Sequence, residues 1–178
     1  MILALVAVWA FAESLLWFVV ADVPISAIAL RYGWKRALLA AVIATVAAAL
    51  GGLAMMAWAN ADPDGSRATI LALPGISGEL FDEASSALHA EGFPAMLAGS
   101  FSGVPYKIYA HAAGVGGAGM AGFFLASVLA RLPRFLLVGA IFGLAAPRLH
   151  RLLGRRLWPV FIATWALFYL GYWWSMGF

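Results

Sequence analysis

The feature that most constrains this chain is the length of its uncharged apolar runs. Residues 37–59 contain no Asp, Glu, Lys or Arg, and neither do residues 157–178. A helix rises about 1.5 Å per residue, so either run is long enough to cross a hydrocarbon core of about 30 Å. Because a lipid-exposed backbone must satisfy its own hydrogen bonds, each run predicts a transmembrane helix.

Composition places the chain outside the range of soluble domains. Hydrophobic residues make up 65% of the 178 residues and charged residues 11%, whereas soluble domains are roughly 25% charged. We therefore expect an all-α polytopic membrane protein of one domain. The sequence has no cysteine, which excludes disulfides, thiolate nucleophiles and cysteine metal sites. The N-terminus lacks the basic region of a signal peptide and is expected to stay in the mature chain.

Proline, glycine and charge divide the rest of the chain. Residues 78–90, in a polar acidic stretch, have the spacing of a short amphipathic helix, and two apolar segments are interrupted by proline and glycine. The predicted segments are a re-entrant hairpin over 1–31, a transmembrane helix over 37–59, a polar outer loop with the amphipathic helix over 60–92, a second re-entrant hairpin over 93–115, and transmembrane helices over 116–147 and 157–178.

Basic residues predict which ends face the cytoplasm. Clusters within 31–36 and 148–156 flank the apolar runs, and Lys and Arg near span ends favour the cytoplasmic side. The acidic loop then lies outside, and chain parity requires 93–115 to enter and leave on one side. The same reasoning allows 1–31 to be a hairpin from the inner face, or a straight helix with its N-terminus outside. Two opposed hairpins would form the inverted repeat of many transporters, with the substrate site where broken helices meet.

Three charged residues lie inside the broken apolar segments. Glu13 and Asp22 belong to the first segment and Lys107 to the second. A charge in lipid costs at least about 3 kcal/mol on insertion scales, so such residues are rare and commonly serve a function or pair with one another. We consider two explanations: a structural pair of Glu13 with Lys107 that joins the hairpins, or a polar site at the membrane midplane.

Part of the chain resembles a known family. The sequence GSFSGVPYKIYAHAAG over 99–114, followed by FFLASVLARLPRF over 123–135, is similar to the DedA family, also called the SNARE-associated or VTT-domain family. The similarity is greatest to a small branch with a proline, a lysine and an Ala-Gly pair after the second turn. The Ala-Glu-Ser over 12–14, with Pro24 downstream, is similar to the family's first hairpin.

The resemblance implies an integral membrane protein with two opposed re-entrant hairpins that moves lipids across the bilayer. Family members are implicated in undecaprenyl phosphate recycling in bacteria and in phospholipid scrambling in eukaryotes, and several bacterial members are linked to the proton-motive force. It therefore implies a transporter, flippase or scramblase of an anionic lipid in a bacterial cytoplasmic (inner) membrane. Where larger members carry two arginines around the second turn, this chain has Ser100 and Lys107, and lysine offers a point charge rather than a planar fork.

Candidate ligands for a lipid phosphate lie in and after the second hairpin, and they are Lys107, Arg131 and Tyr106. The resemblance encourages this role for Arg131. Arg131 and Arg134 also flank Pro133 inside an apolar run, where long basic side chains can snorkel to the inner interface. We favour phosphate binding for Arg131 and snorkelling for Arg134.

Candidates for proton coupling are Glu13, Asp22 and His111. Asp22 has a second explanation as a helix cap at a turn, and His111 as a packing residue one turn beyond Lys107. The predicted hairpin turns are at Pro24, Gly103, Pro105 and Gly114.

Two other function classes stay open. The first is a proton- or ion-coupled carrier of a small solute, and the second is a structural membrane protein with a paired-charge core. An enzyme is not expected, because the sequence has no GxSxG, HExxH or P-loop motif and no spacing that supports Ser100 or Ser102 with His111 as a hydrolase pair. We expect no cofactor, metal or nucleic acid; the expected partners are a membrane lipid and protons, with a homo-oligomer left open.

Overall fold

The structure, a computed structural model, describes residues 1–175, and every regular element in that range is helical. The predicted all-α class is therefore confirmed. The helices are α1 (Ile2–Leu15), α2 (Asp22–Tyr32), α3 (Trp34–Ala61), α4 (Pro63–Leu71), α5 (Gly78–Glu91), α6 (Phe93–Ser102), α7 (Tyr106–Val115), α8 (Met120–Leu153) and α9 (Leu157–Ser175), with a short 3-10 helix (Gly154–Arg156) before α9. The predicted last span continues to residue 178, and its end lies outside the described residues.

Helix α3 is the centre of the packing, and α1, α2, α7 and α8 all contact it. Its buried side consists mostly of alanine and glycine, which allows neighbouring backbones to approach closely. Gly51 lies against the carbonyl of Phe11 in α1. Gly139 and Gly143 of α8 lie against the first turn of α3. Small residues thus line the contacts of α3 with both α1 and α8.

The outer surface of these helices is apolar. Two helical stretches, Trp34–Ala61 and Met120–Trp174, are long and apolar enough to cross a membrane. Large side chains point outward from them: Leu129 is 59% exposed and Leu144 is 71% exposed, while alanines fill the interior. Soluble proteins rarely leave contiguous apolar surface of this kind uncovered. The arrangement is typical of helices that face lipid.

One end of the molecule is basic, and we call it the basic end. His150 Nε2 hydrogen-bonds the carbonyl of Leu30 at 2.8 Å, and Leu30, Ala146 and Leu157 form a small core there. These contacts bring the end of α2, the end of α8 and the start of α9 together. The cations at this end are Arg31, Lys35, Arg36, Arg148, Arg151, Arg155 and Arg156.

The opposite end is acidic. Residues 62–91 include every acidic residue of the chain except Glu13 and Asp22. The two helices of this span, α4 and α5, pack on α7. Gly114 of α7 lies against Met56 and Ala59 in the last turns of α3. Helix α9 also reaches this side, because the Tyr172 hydroxyl donates to the carbonyl of Gly75 at 3.1 Å. The predicted amphipathic helix is present as α5, with Phe81 and Ala84 buried.

Two of the predicted turn positions, Pro24 and Gly114, are wrong, because both residues lie inside helices. Pro24 lies inside the first turn of α2, where the missing amide hydrogen costs no helical bond, and the chain breaks earlier, over 16–21. Gly114 lies inside α7, where its lack of a side chain permits contact with the α3 backbone. The second break spans 103–105 as expected, with Gly103 at φ +89° and Pro105 preceding the first residue of α7.

Candidate functional site

The two helix breaks face each other inside the molecule. Lys107 Nζ, in the first turn of α7, donates to the carbonyl of Trp17 in the first break at 2.9 Å. Arg134 of α8 also connects them, since its side chain bonds both Asp22 at the start of α2 and the carbonyl of Ser100 at the end of α6. The site is therefore built where four helix ends converge on the middle of α8.

Long-range hydrogen bonds satisfy the backbone of the first break. Besides Lys107 on the Trp17 carbonyl, Trp9 Nε1 donates to the carbonyl of Val19 at 2.9 Å. The amide of Val20 donates to the hydroxyl of Tyr169 in α9 at 2.8 Å. Non-helical backbone at membrane depth requires partners of this kind, because lipid supplies none. Side chains from three different helices thus hold the break in place.

Glu13 and Arg131 form a buried ion pair between α1 and α8. Glu13 is 6% exposed and Arg131 is 7% exposed. The guanidinium also lies over the ring of Tyr106, with 4.5 Å from Cζ to the ring centroid, and over Phe135 at 5.0 Å. Arg131 Nε is buried without a hydrogen-bond partner among the described residues. The guanidinium is therefore held by the Glu13 carboxylate and by the two aromatic rings, and its Nε makes no hydrogen bond to these residues.

Tyr106 is fixed by the helices around it. Its hydroxyl donates to Ser127 Oγ at 2.6 Å, and Ser127 donates onward to the carbonyl of Phe123. The ring occupies the space next to Gly52 of α3, where any side chain would collide with it. Gly52 therefore provides the space in which Tyr106 supports Arg131.

Asp22 and Arg134 form the second ion pair of the site. Arg134 Nε and Nη2 both contact Asp22 Oδ2, while Nη1 donates to the carbonyl of Ser100. The expected snorkelling of Arg134 is therefore wrong, because its charge is used inside the molecule. Asp22 is the first residue of α2, after Ala21 at the N-cap position, and within residues 1–175 its Oδ1 has no hydrogen-bond partner. Its carboxylate binds Arg134.

Lys107 is the surplus charge. It is 3% exposed and contacts a backbone carbonyl, and within residues 1–175 no carboxylate lies within 4 Å of its Nζ. The expected alternative of a direct Glu13–Lys107 pair is wrong, because Glu13 pairs with Arg131. Three cations thus share the site with two carboxylates, which leaves an excess of one positive charge.

A cavity of about 450 Å³ opens between the two breaks. Its charged lining comes from Glu13, Lys107, Arg131 and Arg134, and α9 contributes four of its ten aromatic lining residues. The loop after Ser102 and the first break close two further sides. A volume of this order is within the range of small-ligand sites, and the positive excess favours an anion.

The structure brings together most of the predicted site residues. Lys107, Arg131, Tyr106 and Glu13 line the cavity. His111 does not: its Nε2 contacts the carbonyl of Pro63 at 3.1 Å, and its ring packs edge-on against Phe81. The packing explanation for His111 is thus the one that its contacts support.

Trp17 and Tyr169 were not expected at the site, although both belong to it. Trp17 supplies the carbonyl that Lys107 binds, and Tyr169 binds the first break from α9. Their position among many aromatic residues gave no sequence signal. Within residues 1–175, no group of three or more His, Asp or Glu side chains is placed to hold a metal ion.

Comparison of the chain with protein-family models, curated proteins and solved structures found no match to any of them.

Proposed function

We propose that this chain is a DedA-like transporter or scramblase that moves an anionic, phosphate-bearing lipid across a bacterial cytoplasmic membrane. Undecaprenyl phosphate and phospholipids both have the required headgroup chemistry. The observation that carries the proposal is the cavity at the meeting of two helix breaks, where Lys107 has no carboxylate partner among the described residues. The unpaired positive charge of such a site favours the binding of an anion.

The membrane placement rests on surface chemistry. The exposed faces of α3, α8 and α9 carry large apolar side chains, and the basic end has the Lys and Arg excess that marks a cytoplasmic side. In this placement α3 runs outward, α8 returns and α9 runs outward again. Three spans are therefore proposed.

The same placement makes the two broken segments opposed re-entrant hairpins. The end of α2 lies at the basic end, where His150 bonds the carbonyl of Leu30. Ile2 at the start of α1 lines a groove together with Arg31 and Trp158, and we place it at the same end. Helix α7 ends beside Ala59 at the acidic end, from which α6 also begins after α5. The breaks then meet near the midplane, as in transporters with inverted repeats.

Lys107 and Arg131 would bind the lipid phosphate. Lys107 Nζ uses one of its three donors on Trp17, and Arg131 lines the same cavity. Lys107 thus offers two further donors to phosphate oxygens, and Arg131 offers a second positive charge. The Arg131 guanidinium packs on the face of the Tyr106 ring, which supports it. Charge-assisted hydrogen bonds from these groups would replace the water that surrounds the headgroup at the membrane surface.

Proton coupling would act through Glu13. Phosphate and the Glu13 carboxylate compete for the same guanidinium, because Arg131 is the ion-pair partner of Glu13. Protonation of Glu13 weakens that pair and favours the phosphate, and loss of the proton reverses the preference. Asp22 is engaged with Arg134 and belongs to the junction of the hairpins.

Reconstituted liposomes test the proposal. We expect wild-type protein to move a fluorescent anionic lipid between leaflets, and Lys107→Ala and Glu13→Gln to abolish this movement while the protein remains folded. Arg67→Ala is the matched control, because Arg67 is a half-exposed cation paired with Asp82, and neither residue lines the cavity. Wild-type rates in folded Lys107→Ala would refute the proposal.

A small-anion carrier is the second candidate, because a cavity of about 450 Å³ accepts inorganic phosphate as well as a headgroup. Uptake of radiolabelled phosphate into the same liposomes without lipid movement would favour it. A purely structural role predicts neither activity. It also predicts that neutralising Glu13 and Arg131 together restores the stability that each single change loses.

A further inference from the structure

A second cavity lies on the outer face of α1 and α2, and we call it the α1–α2 groove. Its volume is about 540 Å³, and Arg31 is its only charged lining residue among those described. From α1 it is lined by residues such as Leu5 and Val8, which are 62% and 68% exposed. The groove is therefore open to the surroundings of the helices, which are acyl chains if the protein lies in a bilayer.

The groove has direction. At one end lies Trp17, which follows α1 and also lines the cavity of the candidate site. At the other end lie Arg31, Tyr32 and Trp158, at the basic end. Tryptophan and tyrosine favour the boundary between lipid tails and headgroups, so this end has the chemistry of the membrane interface.

The charge around that end has a single sign. The elements that form it, over 29–36 and 148–158, contain no Asp or Glu. The hydrogen bond from His150 to Leu30 brings the Arg-rich end of α8 next to the end of α2. Arg31 is exposed, and its Cζ lies 5.9 Å from the centroid of the Tyr32 ring. Arg31 is thus available to a headgroup directly above the apolar groove.

We propose that the α1–α2 groove binds one anionic glycerophospholipid from the leaflet at the basic end. An acyl chain lies along the apolar groove, and the phosphate and negative headgroup contact Arg31. Burial of apolar surface stabilises the bound acyl chain. The positive charge of the basic end favours a negative headgroup, because basic residues near a membrane surface attract anionic lipids. The proposal requires the bilayer placement given above, but it does not require transport.

Lipid titration of the purified protein in detergent tests this. Phosphatidylglycerol and phosphatidylcholine with identical acyl chains would be added, and bound lipid counted by native mass spectrometry. One Lys or Arg near a membrane surface contributes roughly 1 kcal/mol to anionic-lipid attraction. We therefore expect about fivefold tighter binding of phosphatidylglycerol, and loss of that preference in Arg31→Gln.

Two variants separate the groove from the cavity. Ala27→Trp fills the groove from α2 and should remove the lipid binding that depends on Arg31. That binding should persist in Lys107→Ala, whatever lipid this variant loses from the cavity. Arg67→Gln is the control for loss of a distant charge. The proposal is overturned if wild-type protein binds both lipids equally, or if Arg31→Gln keeps the preference. Loss of the preference in Lys107→Ala alone would place the lipid in the cavity and would also overturn it.

Discussion

At the scale of single residues, the site separates charges that hold the structure from a charge that is left over. Glu13 with Arg131 is a buried pair and Asp22 with Arg134 is a partly buried pair, and each joins α8 to the first broken segment. Lys107 binds only a carbonyl among the described residues. Removal of one partner from a buried pair is costly, because the other charge stays buried and unpaired. Removal of Lys107 should therefore affect function at little cost in stability, whereas changes at Glu13 or Arg131 should affect both.

The first prediction compares Arg131 with Lys107. Arg131→Ala should lower the free energy of unfolding by about 3–5 kcal/mol, since Glu13 is left buried without its partner. Lys107→Ala should lower it by less than about 2 kcal/mol, because one hydrogen bond to a carbonyl is lost. Reversible unfolding by SDS in mixed micelles measures both. The double variant Glu13→Gln with Arg131→Met should recover most of the loss, and a larger effect of Lys107→Ala would contradict the assignment.

A second prediction concerns Arg134. Arg134→Lys keeps the charge, but a single ammonium does not reproduce the fork that bonds both Asp22 and the Ser100 carbonyl. The junction of the breaks should open locally, and amide exchange over 16–21 and 100–105 should become about tenfold faster. Hydrogen-exchange mass spectrometry measures this, with Arg67→Lys as the control. Unchanged exchange in both segments would show that Arg134 does not hold the breaks together.

At the scale of elements, sequence predicts the helices better than the places where they stop. The helix predicted from the uncharged run of 37–59 corresponds to α3, and the helix predicted from the apolar spacing of 78–90 corresponds to α5. Both could be predicted because run length and apolar spacing are local properties of the sequence. The first break was misplaced because Pro24 is accommodated inside the first turn of α2. Its true position depends on Trp9, Lys107 and Tyr169, which bond the backbone of 17–20 from distant parts of the chain. No local pattern contains that information.

The charges of the site were likewise found in part. A charged residue in an apolar run is conspicuous, so Glu13, Asp22, Lys107 and Arg131 could be selected from the sequence. The ion pairs could not be predicted, because Arg131 and Arg134 lie more than a hundred residues from the carboxylates that they bind. Which of three cations stays unpaired depends on the rotation of α8 relative to α7, and only the packed structure fixes that.

The third prediction tests the contact between α3 and α7. In Gly52→Ala the added methyl group would lie 2.7 Å from Tyr106 Cε1, so the ring must move and Arg131 loses its support. We expect a loss of about 1–3 kcal/mol in stability and a fall in lipid movement. Gly122→Ala is the matched control, because nothing lies within 4 Å of its added methyl group. Its stability should stay equal or rise by roughly 0.5–1 kcal/mol.

At the scale of the whole molecule, charge is sorted along the helix axes. Cations gather at one end, carboxylates at the other, and the paired charges lie between them. Helices α3 and α8 connect both ends, and α9 runs back to the acidic end beside Gly75. A chain sorted in this way has one favoured orientation in a membrane, with the basic end in the cytoplasm.

The fourth prediction is that orientation. The chain has no cysteine, so single cysteines at Asp64 and Arg155 can be labelled without a background. In intact cells an impermeant maleimide should label Asp64→Cys and leave Arg155→Cys unlabelled until the membrane is permeabilised. A protease-cleavable tag fused before Met1 should be cut only from the cytoplasmic side if α1 and α2 form a hairpin. Cleavage from outside would show that α1 crosses the membrane as a straight helix.

The single unpaired cation has an electrical consequence. An empty site with three cations and two carboxylates carries one net positive charge. A phosphate diester that binds together with a proton on Glu13 leaves that net charge unchanged. A transmembrane voltage acts on charge, with about 2.3 kcal/mol per elementary charge across 100 mV. In the proposed mechanism the voltage would therefore act equally on the loaded and the empty site. The direction of lipid movement would then follow the gradients of protons and lipid rather than the resting potential of the cell.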